Sequence, residues 1–161
     1  MRAHIGVVCW NRLELTRLCL TSLLQKTLPG YGLTVVDNGS TDGTPEFLQS
    51  LAAEHPHMRL HLLRRNMGVA VASNLAWDDA ADADFYVKLD NDVEVLDPQW
   101  LNRLMRMLTD NPRLGMAGYK LCAKHEGTPM TLADGSPALA VTCCNGACAC
   151  IPRAVHEHLG F

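Results

Sequence analysis

Short apolar runs rich in β-branched residues alternate with helical segments along most of this chain, and that alternation leaves few folds open. The strand-like runs cover residues 5–9, 33–36, 58–63, 85–89 and 114–121. The spacing predicts a helix over 13–25, with Leu15, Leu18, Cys19 and Leu23 near one face. A second helix opens at Thr44, an N-cap followed by Pro45, and turns Phe47, Leu48, Leu51 and Ala52 inward. Alanine-rich residues 69–79 form a third. Asp97-Pro98 opens a fourth, in which Leu101, Leu104, Met105 and Leu108 keep helical spacing until Asn111-Pro112. Residues 122–135 read as irregular. Two strands, 138–143 and 147–151, flank Asn145-Gly146, and 152–159 begins a last helix. The expected class is α/β, with a mostly parallel central sheet and helices on both faces. Residues 1–161 are expected to be one domain.

Ligands of such sheets sit beyond the carboxyl ends of the strands. Polar clusters fall at those ends, headed by Asn11, Asp37, Asn66 and Asp90. They are distant in sequence yet converge on one crevice. Asp90-Asn91-Asp92 is the most pointed of them. Two carboxylates at the end of a buried strand cost desolvation energy unless something compensates them. Mg²⁺ or Mn²⁺, bridging a diphosphate and keeping water ligands, would do so. The plainer alternative is a solvated acidic loop, since Glu94 and Asp97 lie close by. Asp37 ends its strand among small residues. It can accept donors from a base or ribose, or it can cap the next helix in an Asx-turn. Asn66 and Gly68 stand at a helix start, where free N–H groups favour anions. Ala70 and Ala72 read as packing positions, and Asn74 points to the interior or to the site. Lys88 is a phosphate contact or an exposed sheet-edge lysine. Trp10, Trp77 and Trp100 read as core or groove walls, with Trp10 beside the base pocket. His125, His156 and His158 read as surface residues.

The formal net charge of −3 gives no basic footprint, which argues against nucleic acid as a partner. No apolar run approaches membrane-spanning length and no leader is evident, so the expected location is cytoplasmic, with at most a peripheral membrane contact. The seven cysteines include Cys143, Cys144, Cys148 and Cys150 close together. Their spacing is not a zinc pair, and buried apolar use of Cys is the favoured reading.

Four blocks, in order, resemble the family 2 glycosyltransferases, inverting enzymes of the GT-A (Rossmann-like) fold that use nucleotide-sugar donors. They are Val7-Val8-Cys9-Trp10-Asn11-Arg12; residues 35–44, Val-Val-Asp-Asn-Gly-Ser-Thr-Asp-Gly-Thr; residues 66–74, from Asn66-Met67-Gly68 to Asn74; and Leu89-Asp90-Asn91-Asp92-Val93, which matches the family's DxD motif. The resemblance implies that Asp37 contacts the nucleobase, that Asn11 and Arg12 lie near the nucleotide, and that Asn66 and Gly68 lie near ribose and diphosphate. It implies that Asp90 and Asp92 bind donor and metal, and that Asn145 and Gly146 fall on the acceptor side. The implied partners are a UDP-, dTDP- or GDP-sugar and a glycan or lipid-linked acceptor.

The family's general base usually follows a Gly-x-Phe-Asp-Glu stretch, and this sequence ends at Leu159-Gly160-Phe161, where that stretch begins. Asp134 and Glu126 stand in for a base by proximity alone, so the catalytic residue stays unassigned. The domain is therefore expected to be incomplete at its C-terminus, with self-association through the apolar surface so exposed. The rival readings are a binding module that holds donor without transfer, a sugar nucleotidyltransferase, and a cysteine-based metal protein. The nucleotidyltransferase reading ranks lower because Cys9 to Glu14 lacks a glycine-rich, basic loop.

Overall fold

The computed structural model describes residues 1–80, 82–119, 127–132, 135–141 and 146–159. The elements are β1 Ala3–Cys9, α1 Leu13–Lys26, β2 Tyr31–Asp37, α2 Thr44–Glu54, β3 Met58–Leu62, α3 Val69–Asp78, β4 Phe85–Asp90, α4 Trp100–Asp110, β5 Ala117–Gly118, β6 Thr128–Thr131, β7 Pro137–Ala140, β8 Cys148–Pro152 and α5 Arg153–Leu159. A six-stranded sheet runs in the order β3-β2-β1-β4-β8-β5. β1 to β4 are mutually parallel, and β8 is antiparallel to both of its neighbours. β6 and β7 form a separate antiparallel pair.

The chain winds outward from β1 through β2 to β3, then crosses back to lay β4 on the other side of β1. That reversal opens a crevice at the carboxyl ends of β1 and β4, the place where such sheets hold ligands. Alternation along the strands divides the core. Ile5, Val7 and Cys9 of β1 and Phe85, Val87 and Leu89 of β4 pack with buried residues of α1, α2 and α4. On the opposite face Tyr86 and Ile151 pack with Ala72, Ala76 and Trp77 of α3. Trp100 is buried, its indole N–H donating to Thr27 at 3.0 Å, whereas Trp10 is exposed.

Several expectations need correction. α1 buries Thr16, Cys19, Leu20, Ser22 and Leu23 and leaves Leu15 and Leu18 exposed. Its inward face is partly polar because those hydroxyls have partners: the Ser22 hydroxyl accepts the Val95 N–H at 2.9 Å and Thr16 accepts from Asn91 at 2.8 Å. Thr44 is the first residue of α2, and the capping oxygen belongs to Asp42, which accepts the Thr44 amide at 3.2 Å and its hydroxyl at 2.6 Å. The fifth strand is confined to Ala117–Gly118 among the described residues. The stretch expected to be irregular contains β6, whose Pro129 and exposed threonines hide any strand signal. Of the two strands expected on either side of Asn145-Gly146, β7 pairs with β6 and β8 joins β4.

Candidate functional site

The loops after β1 and β2 are laced together. The Asn38 amide donates to the Cys9 carbonyl at 2.8 Å, the Asn11 amide to the Ser40 hydroxyl at 2.7 Å, and the Thr41 amide to the Asn11 side-chain oxygen at 2.9 Å. Asp42 accepts the Leu13 amide at 3.0 Å, which joins the start of α1 to the same lattice. Asn11 and Arg12 both adopt left-handed backbone, at φ 55° and 61°. Asparagine tolerates that conformation, while for arginine it carries strain.

Asp37 lies at the floor of this lattice, 1% exposed. One carboxylate oxygen, Oδ2, accepts the amides of Gly39 at 3.2 Å and Ser40 at 3.0 Å, so the Asx-turn exists. The other, Oδ1, is buried without a hydrogen-bond partner among the described residues. Such an atom costs free energy until a donor reaches it. Asn38, also buried, reaches the β3–α3 loop: its amide donates to the Asn66 side-chain oxygen at 3.0 Å and its own oxygen accepts the Met67 N–H at 2.8 Å. The Asn66 oxygen also accepts the Gly68 amide at 2.8 Å. Gly39 is required where this loop crosses, because a Cβ there would lie 2.6 Å from the Arg65 backbone.

Across the crevice, Asp90 ends β4 and Asp92 follows it. Arg12 pairs with Asp92 at 3.1 Å, both side chains well exposed. Lys88 pairs with Asp90 and donates to the Gly146 carbonyl at 2.6 Å. Asn91 points back, donating to Thr16 at 2.8 Å and to the Asn11 carbonyl at 3.3 Å, which sets the two carboxylates outward. The Asp90 amide donates to the Ala147 carbonyl at 2.8 Å.

The structure thus brings Arg12 onto Asp92 directly, joins Asn11 to the Asp90-Asn91-Asp92 turn through Asn91, and joins Gly146 to Asp90 through Lys88. Asp37 is joined to Asn11 through Ser40, and to Asn66 and Gly68 through Asn38. Asn145, Asp134, Glu126 and His125 lie outside the described residues. Lys88 is not a sheet-edge lysine: β4 lies between β1 and β8. Sequence reasoning missed Asn38, Ser40 and Asn91 as the ties that hold the carboxylates, although all three sit inside the motif blocks. His156 is not free on the surface but meets Trp77 and Tyr86 edge-on, at 5.3 and 4.7 Å between ring centroids.

Asp90 and Asp92 offer hard oxygen donors at the crevice, a set suited to Mg²⁺ or Mn²⁺ with further ligands from phosphate and water. Among the described residues no group of three His, Cys, Asp or Glu side chains is arranged to hold a metal. Cys148 and Cys150 lie in the core, and burial pushes both thiols up to about 12, as it does Cys19. They behave as small apolar groups. Cys143 and Cys144 lie outside the described residues. Among the described residues no helix is long and apolar enough to cross a membrane.

Comparison with known proteins agrees with this architecture. The chain is 27% identical over 111 residues to the uncharacterized glycosyltransferase YibD of Escherichia coli, covering 69% of this chain and 32% of that protein. It is 30% identical over 109 residues to TuaG of Bacillus subtilis, provisionally assigned as a teichuronic acid biosynthesis glycosyltransferase, covering 68% of this chain and 42% of that one. The chain therefore spans less than half the length of these relatives. Among solved structures, the mannosyltransferase PcManGT from Pyrobaculum calidifontis, in complex with GDP-Man and Mn²⁺, superposes with a TM-score of 0.75 at 24% identity, over 98% of this chain and 46% of that one. S. aureus TarS in complex with UDP-GlcNAc gives 0.60 at 19% identity, over 84% and 42%. The fold is GT-A, and since the model of glycosyl transferase family 2 matches residues 4–159, the chain belongs to that family.

Proposed function

We propose that this chain supplies the donor half of a glycosyltransferase that moves a sugar from a nucleoside-diphosphate sugar to a glycan or lipid-linked acceptor, with inversion. The observation that carries this reading is the buried, unpartnered Oδ1 of Asp37. A lone carboxylate oxygen at the end of a central strand accepts one N–H. A base N–H can provide it, and the family resemblance implies a UDP-, dTDP- or GDP-sugar as the donor. Complexes of the structural neighbours with GDP-Man and UDP-GlcNAc support that range.

In this reading Asn11 and Arg12 line the nucleotide, with Trp10 as an exposed wall, and Asn66 and Gly68 at the start of α3 meet ribose and diphosphate. Asp90 and Asp92 hold Mg²⁺ or Mn²⁺, which when bound supplies positive charge to the departing diphosphate. Arg12 leaves Asp92 and turns to the phosphates, adding a fork of donors. Gly146 belongs to the acceptor side, a role that the resemblance implies for Asn145 as well. Residues 1–161 act as one nucleotide-sugar-binding unit.

Calorimetric titration of UDP, dTDP and GDP in Mn²⁺ and then in EDTA tests the reading. One of the three binds, and metal strengthens it. Asp37→Asn, which turns an acceptor into a donor at half its positions, weakens binding by about tenfold or more, as for loss of a charged hydrogen bond of ~1.5–3 kcal/mol. Absence of binding by all three nucleotides sinks the proposal.

A further inference from the structure

Lys88 sits where a lysine is unexpected. Its strand lies between β1 and β8, and its side chain is 20% exposed. It shares a sheet face with Tyr86 and Asp90, two residues away on either side. Its cross-strand neighbours are Gly6 and Ala149. The ammonium has two acceptors, one carboxylate oxygen of Asp90 and the carbonyl of Gly146. A half-buried cation needs both, because each compensates desolvation.

The turn at Gly146 and Ala147 is thereby fastened to β4 twice, once at Asp90 and once at Lys88. Ala147 accepts the Asp90 backbone N–H and Gly146 accepts the Lys88 ammonium. Arg12 and Asp92 contrast with this pair: they meet across two loops, and Arg12 is 64% exposed and free to leave. One carboxylate of the motif has a fixed counter-ion and the other a displaceable one.

We propose that Lys88 is a positioning residue of the donor site. It holds Asp90 in one orientation, withholds one Asp90 oxygen from the divalent cation, and locks the turn at Gly146 to the metal-side carboxylates. The inference rests on the reading of Asp90 and Asp92 as the metal-facing pair. It is independent of which nucleotide binds.

The test is binding of Mn²⁺ alone, without nucleotide, by the whole chain and by Lys88→Met, Lys88→Gln and Lys88→Arg, with amide hydrogen exchange over residues 88–91 and 146–149. Methionine keeps the stem and removes the charge. Lys88→Met then binds Mn²⁺ about tenfold tighter, as expected for removing one unit charge several ångströms away at a partly screened site. Its amides in both segments exchange faster. Lys88→Gln, which retains a donor for Gly146, gains the same Mn²⁺ affinity and serves if the methionine variant fails to fold. Lys88→Arg stays near wild type in Mn²⁺ affinity. A residue that merely fills space predicts equal Mn²⁺ affinity in all four proteins. That result, or weaker binding by Lys88→Met and Lys88→Gln, overturns the proposal. Loss of nucleotide selectivity at Asp37 overturns the donor reading and leaves this measurement standing.

Discussion

Arg12 shows what the crevice demands of a single residue. Its backbone is left-handed at φ 61° and ψ 48°, just before α1, and its side chain pairs with Asp92. An L side chain there carries ~1–2 kcal/mol of strain that glycine does not. The ion pair is exposed and contributes at most ~1 kcal/mol in return. Stability therefore gives little reason for arginine at this position, whereas a phosphate-facing role does. Two variants separate the terms. Arg12→Ala loses the pair and keeps the strain. Arg12→Gly loses both, and offsets part of the gain through a more flexible unfolded chain. Denaturant unfolding is expected to rank the glycine variant more stable than the alanine variant by about 1 kcal/mol. Both are expected to weaken nucleotide binding equally. Alanine equal to or above glycine in stability means the left-handed backbone at 12 carries no strain. Neither the strain nor the pairing is legible in the sequence, because the φ of one residue and a partner eighty positions away are set by the loop lattice. The places of Asp37 and Asp90 at strand ends were legible, since each directly follows an apolar run, and Asp92 was legible only as the second carboxylate of the same turn.

At the scale of elements, the parallel strands and α2 to α4 could be read directly. Buried strands are near-continuous apolar runs, and α4 has one clean apolar face. α1 could not be oriented the same way. Its inward face mixes Leu20, Leu23 and Cys19 with Thr16 and Ser22, and those hydroxyls are worth burying only because Asn91 and the Val95 amide meet them. β8 was equally opaque: it joins β4 from sixty residues downstream, and its short Cys-Ala-Cys-Ile run names no partner. The seating of α3 is a different kind of constraint, set by one missing side chain. A Cβ on Gly6 would lie 2.9 Å from that of Ala76 and 3.2 Å from the Trp77 indole nitrogen, so β1 and α3 approach through a glycine. Gly6→Ala is expected to push α3 off the sheet and cost ~1–3 kcal/mol, as overpacking does. In a chain of this size that lowers the melting temperature by roughly 2–12 °C. An unchanged melting temperature would show that α3 has slack against β1 and is not held by that contact.

For the whole molecule, the sheet order makes a site out of residues that local pattern alone leaves scattered, because the reversal between β1 and β4 gathers four strand ends on one side. A second polar assembly lies deeper on the α3 face and links three strands to a helix end. His4 of β1 meets the Thr34 hydroxyl of β2 at 2.9 Å, and Thr34 donates to Asp79, just past α3, at 3.1 Å. Asp79 also meets His61 of β3 at 2.8 Å and Arg59 at 3.3 Å. Gly32 completes it, since a Cβ there would lie 2.4 Å from the His4 ring. Burial lowers the His4 pKa below its ordinary 6.5, opposed by the Asp79 charge, which raises it, and aided by the Arg59 charge, which lowers it. Burial raises the Asp79 carboxyl, but its bonds to His61 and Thr34 and the charges of His61 and Arg59 outweigh that and hold it below 3.8. The two signs give two windows. Folded His4 stays neutral while the unfolded chain takes a proton as pH drops through 6.5, so stability declines below that pH until folded His4 titrates as well. The Asp79 contribution is present above 3.8 and is lost as pH falls through its lower folded value. Urea midpoints are therefore expected to fall between pH 7 and pH 5. His4→Gln, which keeps a hydrogen-bonding group for Thr34 but cannot take up that proton, is expected to flatten this first decline and to leave the one below pH 4 in place. An equal drop between pH 7 and pH 5 in both proteins would move the first window to another histidine and leave His4 a purely structural member of the network.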